Sequence, residues 1–240
     1  MIKFRRSPGK SNGPRNTSRF FSDCSKPSID INITSQNPQP AASRFGGDPY
    51  VAADFTWPLH KVGRYRFLGQ FNFEQVSPPS TTLPTSGLLS LFFADDDDGE
   101  VFWQDEGYVV GYYWEDLSNH VVMQTPSGIP ISPEASLALL PGLNIPRHEE
   151  LRNDWPFEGA ADFAWDLSQQ VNTDHYLLGY PSYCTLGYDP TPGPDWVPLL
   201  TLRSSSDLEW CWHDGDRLMV FIQAEHLQRK DFSMLKCDAG

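Results

Sequence analysis

The sequence predicts an α+β fold, mainly antiparallel β-sheet with a few short helices, in a single domain. Three observations predict it: short runs in which apolar and polar residues alternate, a high aromatic content, and proline-rich joints between the runs.

Ile29, Ile31 and Ile33 alternate with Asp30 and Asn32, the period of a half-buried strand. Tyr65, Phe67, Phe71 and Phe73 repeat that pattern across residues 64–73, with Arg66, Gln70 and Asn72 on a second face that is either solvent or a site. Leu88–Phe93 is apolar on both faces and reads as a central strand. Tyr108–Trp114, His120–Met123 and Leu199–Leu202 are further strands. Leu208, Trp210 and Trp212, then His213-Asp214-Gly215-Asp216, then Leu218, Val220 and Ile222 predict a hairpin that turns at Gly215. Helices are fewer. Ser132 caps one, with Pro133 in its first turn and Leu137 and Leu140 on one face, and Phe163, Leu167 and Val171 mark another. Prolines at 78–79, 126–133 and 190–198 separate these pieces without a long linker, and no internal repeat is present.

At 240 residues, with 39% hydrophobic and 13% aromatic content, the chain can bury a sizeable core. No apolar run approaches the ~20 residues of a spanning helix. Ser7 to Ser18 is polar where an export signal needs its apolar stretch, so a cytoplasmic location is expected. Cys24, Cys184, Cys211 and Cys237 show no paired spacing and read as free thiols.

Charge divides the chain. Six of its 18 basic residues lie within residues 1–19, where no acidic residue occurs, so the other 12 face all 31 acidic residues, a balance of −19. Residues 1–28 lack periodicity and predict a flexible basic N-terminal arm, with the domain proper over 29–240. An acidic body repels nucleic acid and draws basic surfaces, so a protein partner is expected and nucleic acid and membrane are not.

Ordered motifs then carry a resemblance. Ser43-Arg44-Phe45-Gly46-Gly47-Asp48-Pro49, Trp57-Pro58, Leu68-Gly69-Gln70-Phe71-Asn72-Phe73, Leu83-Pro84 and Gly87-Leu88-Leu89 are followed by His175 to Pro181, Trp212 to Asp216, Phe221-Ile222 and Asp231-Phe232-Ser233. In this order they resemble the YwqG-like family, a bacterial group of unknown function, over roughly residues 29–236. One departure is Tyr183 to Pro190, which lacks the Gln that the family usually places before its Asp-Pro. The resemblance implies an α+β fold dominated by antiparallel sheet. It also implies a setting beside polymorphic toxins and a role in neutralising them; it supplies no reaction.

The acidic run Asp95-Asp96-Asp97-Asp98-Gly99-Glu100, reinforced by Asp105 and Glu106, fails as a calcium loop: with Gly99 on the loop glycine, Ala94 falls on the first ligand position. It is either a solvated turn or an acidic patch that occupies the basic groove of a partner. His148-Glu149-Glu150-Leu151-Arg152 has Arg152 where a zinc helix needs its second His. Cys211 and His213 share a strand face, with His175 and Cys184 in the other half, but strand cysteines are usually inert core residues. Phe45-Gly46-Gly47 is no phosphate loop; its glycines serve positive φ or close backbone packing. Trp103, Tyr108, Tyr112, Tyr113 and Trp114 are core, or else a sugar-binding platform.

No complete catalytic motif, metal site or cofactor motif emerges. The function expected is therefore an immunity-type protein that binds a cognate basic toxin and occludes its active surface, through Asp95, Asp96, Asp97, Asp98, Glu100, Asp105 and Glu106. The alternative is an enzyme of unknown reaction, or a small-ligand-binding module, that uses His175, Tyr180, His213, Asp214 and Asp216.

Overall fold

The structure is a computed structural model that describes residues 14–78, 80–96, 100–147, 158–183 and 185–240, the side chains of 14–18 excepted. Helix α1 (Pro14–Cys24) leads into β1 (Lys26–Thr34). Four short strands follow: β2 (Arg44–Phe45), β3 (Tyr50–Ala52), β4 (Leu59–His60) and β5 (Gly63–Arg64). Then come β6 (Arg66–Asn72), β7 (Leu88–Phe93), β8 (Val109–Trp114), β9 (His120–Val122) and β10 (Ala135–Asn144). The chain continues through α2 (Ala160–Val171), β11 (Tyr176–Leu178), β12 (Trp196–Arg203), β13 (Arg217–Gln223), α3 (Ala224–Gln228) and β14 (Leu235–Ala239).

Ten strands form one antiparallel sheet in the order β14-β13-β12-β11-β1-β10-β2-β6-β7-β8. The sheet curls until its two end strands approach each other, a nearly closed barrel. Gly111 of β8 marks the approach, because a Cβ there would lie 2.9 Å from the Phe232 carbonyl oxygen and 3.1 Å from Leu235. One continuous apolar core runs from Ile29 to Ala239. Among the described residues no helix is long and apolar enough to cross a membrane.

The Ser43 to Pro49 motif stitches this sheet together. The Ser43 hydroxyl accepts from the Asn72 amide, and the Ser43 amide donates to the Gln75 side chain. Arg44, 2% exposed, donates to the Pro40 carbonyl at 2.7 Å and pairs with Glu134 at 3.5 Å. Phe45 meets the rings of Phe71, His175 and Trp210. Gly46 combines φ +58° with a backbone contact that would put a Cβ 2.4 Å from the Pro133 carbonyl oxygen, so only glycine fits. The face bearing Gln70 and Asn72 is internal. The buried Gln70 amide donates to the Pro40 and Ala42 carbonyls, and its oxygen accepts from the Tyr50 amide.

Four expectations need correction. Residues 14–24 are helical and β1 begins at Lys26, so regular structure starts inside the segment assigned to the arm, whose residues 1–13 lie outside the described residues. Residues 132–140 do not form a helix. Ala135–Asn144 is a strand that pairs with β1 along all nine residues of the latter, and Leu137 and Leu139, not Leu137 and Leu140, are buried. The Ser132 hydroxyl accepts from the Trp210 indole at 2.9 Å instead of capping a helix, so long-range pairing overrides the local cap signal. Leu208–Trp212 is not a strand: Ser206–Leu208 is a 3₁₀ turn, Glu209 is left-handed, and β13 pairs with β12 and β14. The turn itself does use Gly215, at φ +100°. Finally, β7 is the ninth strand of ten and not central. It is nonetheless buried throughout, with Phe55 and Trp57 packed on Phe92.

The period of four in Phe163, Leu167 and Val171 matches α2, but its fully buried stripe is Ala160, Ala164 and Ser168. Phe163 faces Phe21 of α1, ring centroids 5.3 Å apart.

Candidate functional site

Two segments distant in sequence build a cavity of about 380 Å³. One is the end of β7 with the loop that follows it, and the other is the 3₁₀ turn before β13. The first supplies Phe93, Asp95, Asp96 and Trp103, the second Glu209, Trp210 and Trp212, and Arg66 enters from β6.

The electrostatics are set by Arg66, only 7% exposed. Its Nη1 donates to Asp95 Oδ2 at 3.3 Å and its Nη2 lies 3.6 Å from Glu209 Oε2. The guanidinium also sits 5.8 Å from the centre of the Phe93 ring. The Asp96 carboxylate accepts from the Val101 amide at 2.7 Å, which holds it at the wall. Two carboxylates, Asp95 and Glu209, thus flank the guanidinium, and a third, Asp96, lines the same cavity. Trp212 is 2% exposed and its Nε1–H, like Arg66 Nε, is buried without a hydrogen-bond partner. The Tyr108 hydroxyl, also in the lining, titrates far above its ordinary range, first because of burial and then because of Cys237, Asp95 and Asp96.

Of the acidic residues expected to meet a partner, Asp95 and Asp96 line the cavity, whereas Glu100 and Glu106 are exposed elsewhere on the surface. Asp105 accepts from the Phe102 amide and pairs with Lys61 at 3.5 Å, so it is partly spent on its own loop. Asp97 and Asp98 lie outside the described residues, as do Cys184 and the segment 148–152. The aromatic stretch divides: Trp103 and Tyr108 line the cavity, while Tyr112, Tyr113 and Trp114 pack on core rings.

The alternative set is also divided. His213 Nδ1 lies 3.8 Å from Asp216 Oδ2, its ring sits 5.9 Å from Trp103, and Asp214 is exposed. His175 faces other partners: its Nδ1 accepts from the Arg203 amide at 3.2 Å, and burial holds its pKa below the ordinary value. The Tyr180 hydroxyl donates to the Cys24 carbonyl, and Lys26 lies 3.9 Å over its ring. His213 and Asp216 are thus brought together, while His175 and Tyr180 make contacts of their own. Among the described residues no group of three or more His, Cys, Asp or Glu side chains is placed to hold a metal ion.

Sequence reasoning did not find Glu209, Trp212 or the cavity role of Arg66. The available signals were a charged residue in an otherwise apolar strand and an isolated Glu between Leu208 and Trp210.

No curated protein matches the chain. Residues 43–238, from the residue before β2 to the penultimate residue of β14, match the model of a family described as a domain of unknown function, so β1 lies outside the match although it fills the middle of the sheet. The chain therefore belongs to that family, DUF1963.

Proposed function

We propose that this chain is an immunity-type binding protein, YwqG-like in kind, that captures a basic toxin in the cytoplasm of the producing cell and occludes its active surface. The observation that carries the reading is the cavity in which Asp95 and Glu209 flank one buried arginine, with Asp96 and aromatic side chains in the same lining. The acidic balance of the body supports it, since a field of one sign accelerates encounter with a basic partner at low salt. The resemblance to proteins set beside toxins points the same way.

The test is to identify the protein retained by the immobilised chain from the source cell, and then to express that protein with and without the chain. The expected result is growth arrest that the chain relieves, with association about tenfold slower at low salt for the Asp96→Lys, Glu209→Lys variant. Arrest that the chain does not relieve refutes the reading, and an unchanged association rate removes the acidic residues from it. A second reading, a small-ligand-binding module, is favoured by the size of the cavity, which lies within the range of about 300–1,000 Å³ common to ligand sites.

A further inference from the structure

A second cavity, of about 480 Å³, opens where β1 ends beside the approach to β11, and none of its lining residues belongs to the cavity described above. Its volume is that of a small-molecule site, within the range of about 300–1,000 Å³. The polar part of the lining centres on Arg203, the last residue of β12. Nη1 of Arg203 donates to both oxygens of Asp174, at 3.1 and 3.2 Å, which holds the guanidinium in place. Arg217 Nη2 lies 3.8 Å from the same carboxylate, so one acid serves two guanidiniums and a positive charge is left over. Among the described residues the Nε and Nη2 edge of Arg203 has no partner, and its side chain is 54% exposed, which leaves that edge within reach of a ligand. Two parallel N–H groups on a guanidinium edge match the two oxygens of a carboxylate.

Another part of the lining is apolar. Ile31 and Ile33 contribute it, and Ile33 is 48% exposed although it continues the strand face on which Ile29 and Ile31 are buried. An inorganic anion would leave Ile33 in water, whereas a carboxylate that carries an aliphatic group would cover it. The C-terminal end of α2 also reaches the lining, through Gln169 and Asn172, and its carbonyl groups oppose an anion. That field fades within one helical turn and is screened at the surface, while the contact with Arg203 is direct. We propose that this cavity binds a small organic acid, its carboxylate held by the free edge of Arg203 and its aliphatic part against Ile31 and Ile33. Free aliphatic acids and the C-terminal residue of a peptide both present this chemistry. The site is separate from the capture of a basic partner and stands or falls without it.

The test uses the full chain and small probes. His175 lines the same cavity and its Nδ1 accepts from the Arg203 amide, so its ring reports on anything bound at Arg203. Its imidazole resonance, identified by its loss in His175→Gln, is followed by NMR at constant pH while hexanoate, acetate, hexanamide, inorganic phosphate and N-acetyl-leucine are titrated. Hexanoate is expected to saturate in the millimolar range, with acetate and the uncharged hexanamide each weaker by about tenfold or more. Arg203→Gln should weaken hexanoate by about tenfold, and Arg203→Lys, which keeps the charge without the fork, should fall between it and the wild type. Ile33→Ser should bring hexanoate down toward acetate and leave acetate itself unchanged, a pattern that loss of fold would not produce. Hexanamide equal to hexanoate, hexanoate binding unchanged in Arg203→Gln, or no saturation overturns the site. Phosphate tighter than hexanoate overturns the assignment to an organic acid. Where the site holds, the tighter of hexanoate and N-acetyl-leucine names its source, a free acid or a peptide end.

Discussion

Replacing Asp95 by Asn should destabilise the protein, and replacing Arg66 by Met as well should restore it. Arg66 has 8% of its side chain exposed and Asp95 26%, with 3.3 Å between Nη1 and Oδ2. At that separation the gross attraction is about 5 kcal/mol for an effective dielectric constant near 20. Breaking a fully buried pair from one side costs about 3–5 kcal/mol, because the remaining charge stays out of water. Here Asp95 is open enough for water to enter in its place, and Glu209, 64% exposed, offers Arg66 only a screened partner. The expected loss for Asp95→Asn is therefore about 2–3 kcal/mol, and Arg66→Met with Asp95→Asn should lie within ~1 kcal/mol of wild type. Urea denaturation followed by tryptophan fluorescence measures both, read from the midpoint at constant m. An Asp95→Asn variant within ~0.5 kcal/mol of wild type, or a double variant no more stable than the single one, would refute a buried charge that depends on its partner.

Three other perturbations have definite expected outcomes. Gly142→Ala would put a Cβ 2.1 Å from Asp30 Oδ1, so it should cost about 1–3 kcal/mol in the wild type and under ~0.5 kcal/mol in an Asp30→Ala background, as a double-mutant cycle by denaturation would read. Gly46→Ala combines a left-handed backbone with overlap on the Pro133 carbonyl oxygen and should cost about 3 kcal/mol or more, measured the same way. His175 is held below its ordinary pKa of 6.5, chiefly by burial, with Asp174 opposing and Arg203 and Arg217 adding to the effect. It is therefore neutral when folded but takes up a proton on unfolding below pH 6.5. Stability is then full above that pH and falls as pH drops from 6.5 toward the folded value, at up to ~1.4 kcal/mol per pH unit. His175→Gln should flatten this slope in thermal melts between pH 7 and 5, with a remainder from His60 and His120, which burial shifts in the same direction.

The parts of the fold legible in the sequence were those whose signal is local. Alternation located β1 and β6, runs rich in apolar and aromatic residues located β8 and β12, and the double glycine at 46–47 announced the close approach that the backbone makes there. Strand β10 was missed because Ser132-Pro133 imitates a helix start and Pro141-Gly142 interrupts its alternation, whereas its true determinant is the pairing with β1. The same division holds at the cavity. Asp95 and Asp96 stood out as a charge run, but Arg66, Glu209 and Trp212 join them only because the curled sheet brings β6, the loop after β7 and the turn before β13 to one place. No spacing rule could have gathered residues so far apart along the chain.

The position of β1 between β10 and β11 imposes an order on biosynthesis. The strand leaves the ribosome before both of its neighbours, which begin at Ala135 and Tyr176. At about 5–20 residues per second, it waits on the order of ten seconds for a partner, with Ile29 and Ile31 exposed to whatever else is nearby. Chains stalled between residues 34 and 135 should therefore be sticky, and residues 26–34 are where a chaperone has reason to hold them.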